Sequence, residues 1–383
     1  MVQGLGFFHP AWDRTWSRCF DDTQSYVWDP AAVDAAFSWM ASQGLSFARF
    51  QMNLVLARDD ATYRSHITDI LNIADKYGVY VMFCPVGLSH PDSGYEMFAW
   101  RTNTQPYTPY LQSYEDINTT ARFNAAMASL AALCAGHKNA ILEIWNEPTF
   151  GGYNSFNRAA YENYNANVHG TLQAIRSAGF TGLVYVMSGG PNFWTDDYSD
   201  EGNVRPDATM KCAIDNLGWF KNYGRVAFDW HNYFLLQLNP DNLQPWHWPE
   251  NIVQLEALWM VEGRIAEAQN LGIQVGIFET GIFYSDPTGG FTGTPGAPLD
   301  QTLINRQLEQ LANALEICNI NNMDWCVHTG ERGDISSVVS SAWVWNSAGQ
   351  VLINYVVLPT LSLRRLIAPL ASIAAGVGLI FVK

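Results

Sequence analysis

The chain has 383 residues, of which 48% are apolar and only 15% charged, with a formal net charge of −15. Soluble proteins average about 25% charged residues, so much of this surface must be covered by uncharged polar side chains, as suits an extracellular or cell-surface protein. The negative balance repels phosphate backbones and excludes nucleic acid as a partner.

Six cysteines (Cys19, Cys84, Cys134, Cys212, Cys318 and Cys326) stand far apart with no CxxC pair. That spacing excludes a zinc knuckle or a dithiol redox motif and suggests no disulfide framework. Cys84 and Cys326 lie inside apolar runs and read as buried thiols.

Along the chain, short apolar runs alternate with helical patterns. Met1 to Phe8 enters a strand pattern at once with no export signal ahead of it, so the expected export implies a leader already removed. The first strand-like run is Gly4–Phe8 and the second Leu45–Phe50. Ile67, Ile70, Leu71, Ala74 and Tyr77 then form a helical stripe. Runs at Val79–Cys84 and Ala140–Trp145 follow, then a second stripe of Tyr161, Tyr164, Val168, Leu172 and Ile175. Further runs occupy Leu183–Met187, Val226–Trp230 and Ile273–Phe278. A third stripe (Ile304, Leu308, Leu311, Leu315 and Cys318) precedes the last run, Met323–Val327.

Each run is almost continuously apolar, as a parallel strand covered on both faces should be. Gly44, Gly78, Gly179 and Gly272 fall between a helical pattern and the next run, where helices close with a left-handed residue. Eight strands alternating with helices predict an α/β fold, a closed (β/α)8 barrel. The first strand is followed by no dinucleotide fingerprint. The chain exceeds the roughly 250 residues of a bare barrel, so a single catalytic domain over residues 1–360 carries long insertions.

Those insertions follow the strands: Pro85 to Glu115, Gly189 to Ala208 and Asn232 to Glu250. Loops of this length are usually functional, and in a barrel they gather at the C-terminal face. They hold Tyr95, Trp100, Tyr107, Tyr110, Phe193, Trp194, Trp246 and Trp248, a set suited to flat sugar faces. Residues 361–383 form a hydrophobic tail. Leu366 to Val382 has no charge but contains Pro369, Gly376 and Gly378. It is at the lower limit for a membrane span, so packing on the barrel is expected, with membrane contact through residues 366–382 as the alternative.

Two glutamates stand at strand ends. Glu147 follows the fourth run in Ile141-Leu-Glu-Ile-Trp-Asn-Glu-Pro148, and Glu279 ends the seventh in Ile273-Gln-Val-Gly-Ile-Phe-Glu279. Two carboxyls facing each other in a barrel mouth are what glycosidic cleavage requires: one protonates the leaving oxygen and the other attacks the sugar carbon, at about 5–5.5 Å separation. Their proximity drives the two pKa values apart, which lets one serve as acid and the other as nucleophile. Arg49 ends the second run, where a cation would either keep the nucleophile ionised or form an ion pair at the edge of the core. His231 and Tyr233 follow the sixth run. Trp325 lies in the eighth and reads either as a platform beneath the sugar or as barrel filling.

This pattern resembles glycoside hydrolase family 5, the cellulase family of a retaining clan. The resemblance rests on Arg49, on Glu143 to Pro148, on His231 to Tyr233, on Phe278-Glu279 and on Trp325, and runs from about residue 3 to about residue 360 in strand order. It implies Asn146 on the sugar 2-hydroxyl, His231 and Tyr233 as positioning groups, and Glu279 as the residue that becomes glycosylated. The family usually carries a histidine after the third strand; here Val86 stands near that place and His90 follows.

The expected activity is a retaining hydrolysis of β-linked polysaccharide or oligosaccharide, as an endo-β-1,4-glucanase. A β-mannanase or exo-β-glycosidase of the same clan is the neighbouring alternative, and a catalytically inactive carbohydrate-binding barrel the alternative of another class. A metal-dependent hydrolase would need several strand-end His and Asp residues, and His231 is the only strand-end histidine in a clear position. No cofactor and no metal are expected.

Overall fold

A computed structural model describes residues 3–7, 28–52, 54–85, 117–144, 158–187, 222–231, 268–280, 285–286, 297–298 and 323–327, with single positions 315, 318 and 321. Eight parallel strands close into a barrel: β1 (Gln3–Phe7), β2 (Phe47–Met52), β3 (Tyr80–Pro85), β4 (Ala140–Glu143), β5 (Val184–Met187), β6 (Val226–His231), β7 (Gln274–Thr280) and β8 (Asp324–Val327). Neighbours follow chain order around the ring, and β1 closes it by pairing with both β2 and β8. Each of the eight expected runs is a strand. Ser285–Asp286 and Ala297–Pro298 add a short antiparallel pair after β7.

The helices described from end to end are α1 (Pro30–Ser42), α2 (Leu54–Asp59), α3 (Ala61–Tyr77), α4 (Ile117–Cys134) and α5 (Arg158–Ser177), and residues 268–270 are the described end of another helix before β7. In α3, Asp60 accepts a hydrogen bond from the Tyr63 amide at 2.8 Å, satisfying one of the first-turn donors. The stripe of Ile67, Ile70, Leu71 and Ala74 is buried. The helix stops at Gly78, where φ is 68° and the amide returns to Ala74 and Asp75. A residue with a Cβ is strained there. Gly44, Gly179 and Gly272 close their helices in the same left-handed region, and Gly224 adopts it before β6, a position the helix-end pattern did not reveal.

The strand ends differ from the apolar runs in a consistent way. β2 continues past Gln51 to Met52, β6 to His231, and β7 through Glu279 to Thr280. An apolar run ends at the first polar residue, but these strands carry their ladder on into a polar rim. β4 differs: its ladder ends at Glu143, short of the expected Trp145.

The apolar residues form two shells. The larger lies between strands and helices and joins Phe37, Phe50, Ile67, Phe83, Leu130, Leu172 and Ile277. The smaller fills the barrel with Phe47, Met82, Ile141, Tyr185, Ala227, Phe278 and Cys326. Leu315 and Cys318, the described part of the third stripe, are buried in the outer shell. Cys84, Cys134, Cys318 and Cys326 are buried free thiols; Cys19 and Cys212 lie outside the described residues.

The N-terminal face is closed by polar ties. Tyr185 donates to Asp324, and Gln274 donates to both Asp324 and the Tyr185 hydroxyl. Burial and the neighbouring Asp324 carboxylate push the Tyr185 phenol well up. Asn139 donates to the carbonyls of Leu71 and Val79 at 3.0 and 3.2 Å. Arg176, in the last turn of α5, reaches the carbonyls of Phe180, Gly182, Tyr223 and Arg225 at 2.8–3.0 Å. No helix among the described residues is long and apolar enough to cross a membrane, and the tail from residue 361 lies outside them.

Arg176 gathers two turns that otherwise rely on short local contacts. Arg176→Met keeps the apolar stem but leaves four carbonyls to water, and is expected to lower unfolding free energy by about 2 kcal/mol. Denaturant titration followed by circular dichroism checks this; an unchanged midpoint would mean that water replaces the guanidinium at no loss.

Candidate active site

Arg49 and Glu143 are charged residues set in otherwise apolar strands, and burial of either alone would be prohibitive. They solve this together. Arg49 is 1% exposed and Glu143 fully buried. The guanidinium grips the carboxylate with both edges, Nε to Oε2 at 2.7 Å and Nη2 to Oε1 at 3.0 Å. Nη2 also lies 3.0 Å from Cys84 Sγ. Burial pushes the Cys84 thiol well above its ordinary range, outweighing the Arg49 charge, and Glu143 and Asp229 add to the rise. Cys84 is therefore a neutral packing partner of the ion pair.

The strand register extends this pair into a ring. Arg49 pairs in the ladder with Met82, and Met82 with Ile141. Its side chain nevertheless meets Glu143, two residues further on, because tilted strands rise as they pass around the barrel. The same step leads from Glu143 through Tyr185 and Ala227 to Asp229. It leads next through Gly276 and Asp324 to Cys326, and from Cys326 through Gly4 and Phe47 back to Arg49. Arg49, Glu143, Asp229 and Cys326 thus form one level, contributed by alternate strands as barrel interiors are. Branched aliphatics usually fill such a level; here it holds a cation, two carboxyls and a thiol, all buried.

The next level up is the rim. β6 ends there at His231, whose backbone pairs with Glu279. On its way to the rim β7 carries one residue more than β6: Trp230 pairs with Ile277, but His231 with Glu279. The ladder shifts on the β8 side as well, between Trp325 and Val327. Extra residues of this kind re-aim a strand and are common beside active sites. Glu279 thereby stands level with His231 at the C-terminal end of the barrel, where barrel enzymes build their sites.

The expected site residues divide as follows. Glu279 and His231 are brought together by backbone register. Arg49 lies one level below them, with Glu143 as the partner that the contacts identify. Asn146 and Glu147 follow Glu143 closely in the chain and, with Tyr233, lie outside the described residues, as do Val86 and His90. Trp325 requires a correction. It is 3% exposed and packs in the outer shell, while its neighbours Asp324 and Cys326 belong to the interior. Alternation turns it away from the barrel mouth, so it fills the space beneath the helices and presents no platform to a sugar.

Glu143 and Asp229 had no assigned role in the sequence. The signal was present for Glu143: a carboxylate two residues after Ile141 in a strand buried on both faces needs a buried cation, and Arg49 is the one that another buried strand supplies.

The barrel thus carries polar residues in its interior and brings Glu279 and His231 level at its C-terminal end, and comparison with known proteins supplies the class. The family model described as Cellulase (glycosyl hydrolase family 5) matches residues 20–326. The chain belongs to glycosyl hydrolase family 5 and is a glycosidase. Among solved structures it is similar to a triple-mutant endo-beta-1,4-glucanase from Xanthomonas axonopodis pv. citri, with 15% identity over 92% of this chain and 98% of that one, TM-score 0.59. It is similar to Thermotoga maritima Cel5A in complex with mannotriose, with 12% identity, coverage of 93% and 97%, and TM-score 0.60. A third is cellulose synthase subunit Z of Clostridioides difficile, with 12% identity, coverage of 92% and 99%, and TM-score 0.58. Comparison with curated proteins returns no match.

Removing one member of a buried ion pair strands the other charge. Arg49→Met is expected to lose about 3–5 kcal/mol of stability. The double variant Arg49→Met with Glu143→Leu should recover most of that loss, because no buried charge remains unpaired. Chemical denaturation of the three proteins tests this. Equal losses in the single and double variants would mean that the pair contributes packing rather than charge compensation.

Proposed function

We propose that this glycosidase hydrolyses β-linked polysaccharide with retention of anomeric configuration, as an endo-β-1,4-glucanase, with Glu279 as nucleophile and Glu147 as acid/base. The observation that carries the reading is the register at the end of β7, which aligns the Glu279 backbone with His231 at the C-terminal rim. Glu147 follows the buried Glu143, the last residue of β4, by four positions in the chain.

In the first step Glu279 attacks the anomeric carbon while Glu147 gives its proton to the departing glycosidic oxygen. Esterification removes the Glu279 charge, so the pKa of Glu147 falls. Glu147 then takes a proton from the water that releases the sugar. Asn146 holds the 2-hydroxyl, and His231 and Tyr233 orient substrate and nucleophile. Arg49 acts from one level below rather than as a sugar ligand. The aromatic-rich insertions after the strands favour a cleft that accepts a long chain, hence internal cleavage. A polymer of that size is met outside the cell, which agrees with export and the low surface charge.

Mannan is the second reading. Thermotoga maritima Cel5A, to which this chain is similar, has been solved with mannotriose and with cellobiose. Activity measured on soluble β-glucan, mannan and xylan separates the two. Internal cuts in β-1,4-glucan support the proposal, and faster cleavage of mannan moves the substrate to the second reading.

Glu279→Ala is expected to abolish turnover nearly completely with little change in melting temperature; retention of more than a few per cent of activity would remove its assignment. Glu147→Ala should lose roughly 10²–10⁴-fold on polysaccharide. On an aryl glycoside whose leaving group needs no proton the loss should be much smaller, and equal losses on both substrates would count against an acid role.

A further inference from the structure

We propose that Gly276 is a positioning residue for this hydrolysis: the space left by its missing side chain holds the Phe278 ring, and the ring fixes where the backbone of Glu279 stands at the rim. This rests on the functional reading above, which makes Glu279 the nucleophile. The effect reaches Glu279 through its backbone, which the ladder pairs with His231.

Gly276 lies on the interior side of β7, between Val275 and Ile277 of the outer shell. Its φ is outside the left-handed region, so the backbone there does not demand glycine. The constraint is steric. A Cβ at residue 276 would stand 2.5 Å from Phe278 Cε2 and 2.6 Å from Cζ, with the Asp324 carbonyl oxygen at 3.3 Å. The Phe278 ring therefore leans back along its own strand and fills the place of the absent side chain. It is fully buried. Phe47 from β2 meets it tilted at 5.0 Å between ring centroids, and Tyr185 from β5 meets it edge-on at 4.4 Å. An interior packed this closely transmits strain rather than absorbing it, so the ring cannot step aside without displacing one of these neighbours.

The ring also sits where the ladder shifts. Trp230 pairs with Ile277 and His231 with Glu279, so Phe278 is the residue that β7 carries in excess. Ladder hydrogen bonds do not fix the level of an unpaired residue in a bulge. Here the buried ring does so, and Glu279 is the next residue in the chain. Lifting the ring to admit a methyl group at residue 276 would carry the Phe278 backbone with it and draw Glu279 out of register with His231. A misplacement of about 1 Å at a reacting group costs about 10²-fold in rate.

The test measures kcat and KM on the polymer that the wild type cleaves fastest, for the full-length wild type, Gly276→Ala, Phe278→Leu and the double variant, with melting temperatures followed by circular dichroism. Gly276→Ala should lower kcat by about 10²-fold with little change in KM, because substrate still binds while the nucleophile is misplaced. Phe278→Leu, which only loosens the hold on Glu279, should lose less. In the double variant the shorter side chain makes room for the methyl group, so kcat should return to the level of Phe278→Leu. A lower melting temperature with wild-type kcat in Gly276→Ala would make the contact purely structural and overturn the proposal, as would a double variant no faster than Gly276→Ala. If Gly276→Ala does not fold, Phe278→Leu decides: a reduced kcat at unchanged KM supports the proposal, and a wild-type kcat overturns it. Failure of both single variants to fold overturns it in favour of a folding role. A wild type inactive on every polymer refutes the functional reading instead, before any variant is made.

Discussion

The interior of a closed barrel of eight strands is just wide enough for side chains to fill it. In this protein that interior accepts a guanidinium, and the guanidinium must meet a carboxylate at once. Arg49 and Glu143 come from strands separated by β3 and from positions 94 residues apart. Their two-point contact requires β2, β3 and β4 to keep their stagger, since a slip of one residue would turn either group into the helix layer. The ring through Asp229 and Cys326 follows from the same stagger. The polar ties of Tyr185, Gln274 and Asp324 hold the opposite end of the barrel.

The catalytic proposal depends on that geometry. The proposed acid/base, Glu147, follows the strand that carries Glu143, and the proposed nucleophile, Glu279, lies near the end of the ladder of β7, beside the strand that carries Asp229. The buried level that Arg49 and Glu143 share ties β2 to β4, the strand that leads to the proposed acid/base. The extra residue in β7 completes the design, because it lets Glu279 draw level with His231 after Phe278 has been spent on the interior.

Much of this was legible in the chain. Strands covered on both faces stand out as apolar runs, and all eight did, with glycines marking the helix ends. The place of Glu279 at the end of a strand was legible because the apolar run stops there. The Arg49–Glu143 partnership was not, because only the barrel's stagger decides which inward residues share a level. The side to which Trp325 turns was not legible for a related reason. A single strand shows that alternate residues face opposite ways, but which set faces inward is settled by the neighbouring strand, here through the pairing of Cys326 with Gly4. The strand ends ran past the apolar runs because polar residues such as Gln51 and His231 belong to the rim rather than to a loop.

The central claim is that Glu279 becomes covalently attached to the sugar. A 2-deoxy-2-fluoro-β-cellobioside with an activated leaving group slows release of such an intermediate more than its formation, so the sugar stays bound. Mass spectrometry of the digested protein should find one added fluorocellobiosyl group, on the peptide that contains Glu279. A label on another residue, or rapid hydrolysis of the compound with inversion and no label, would contradict the account.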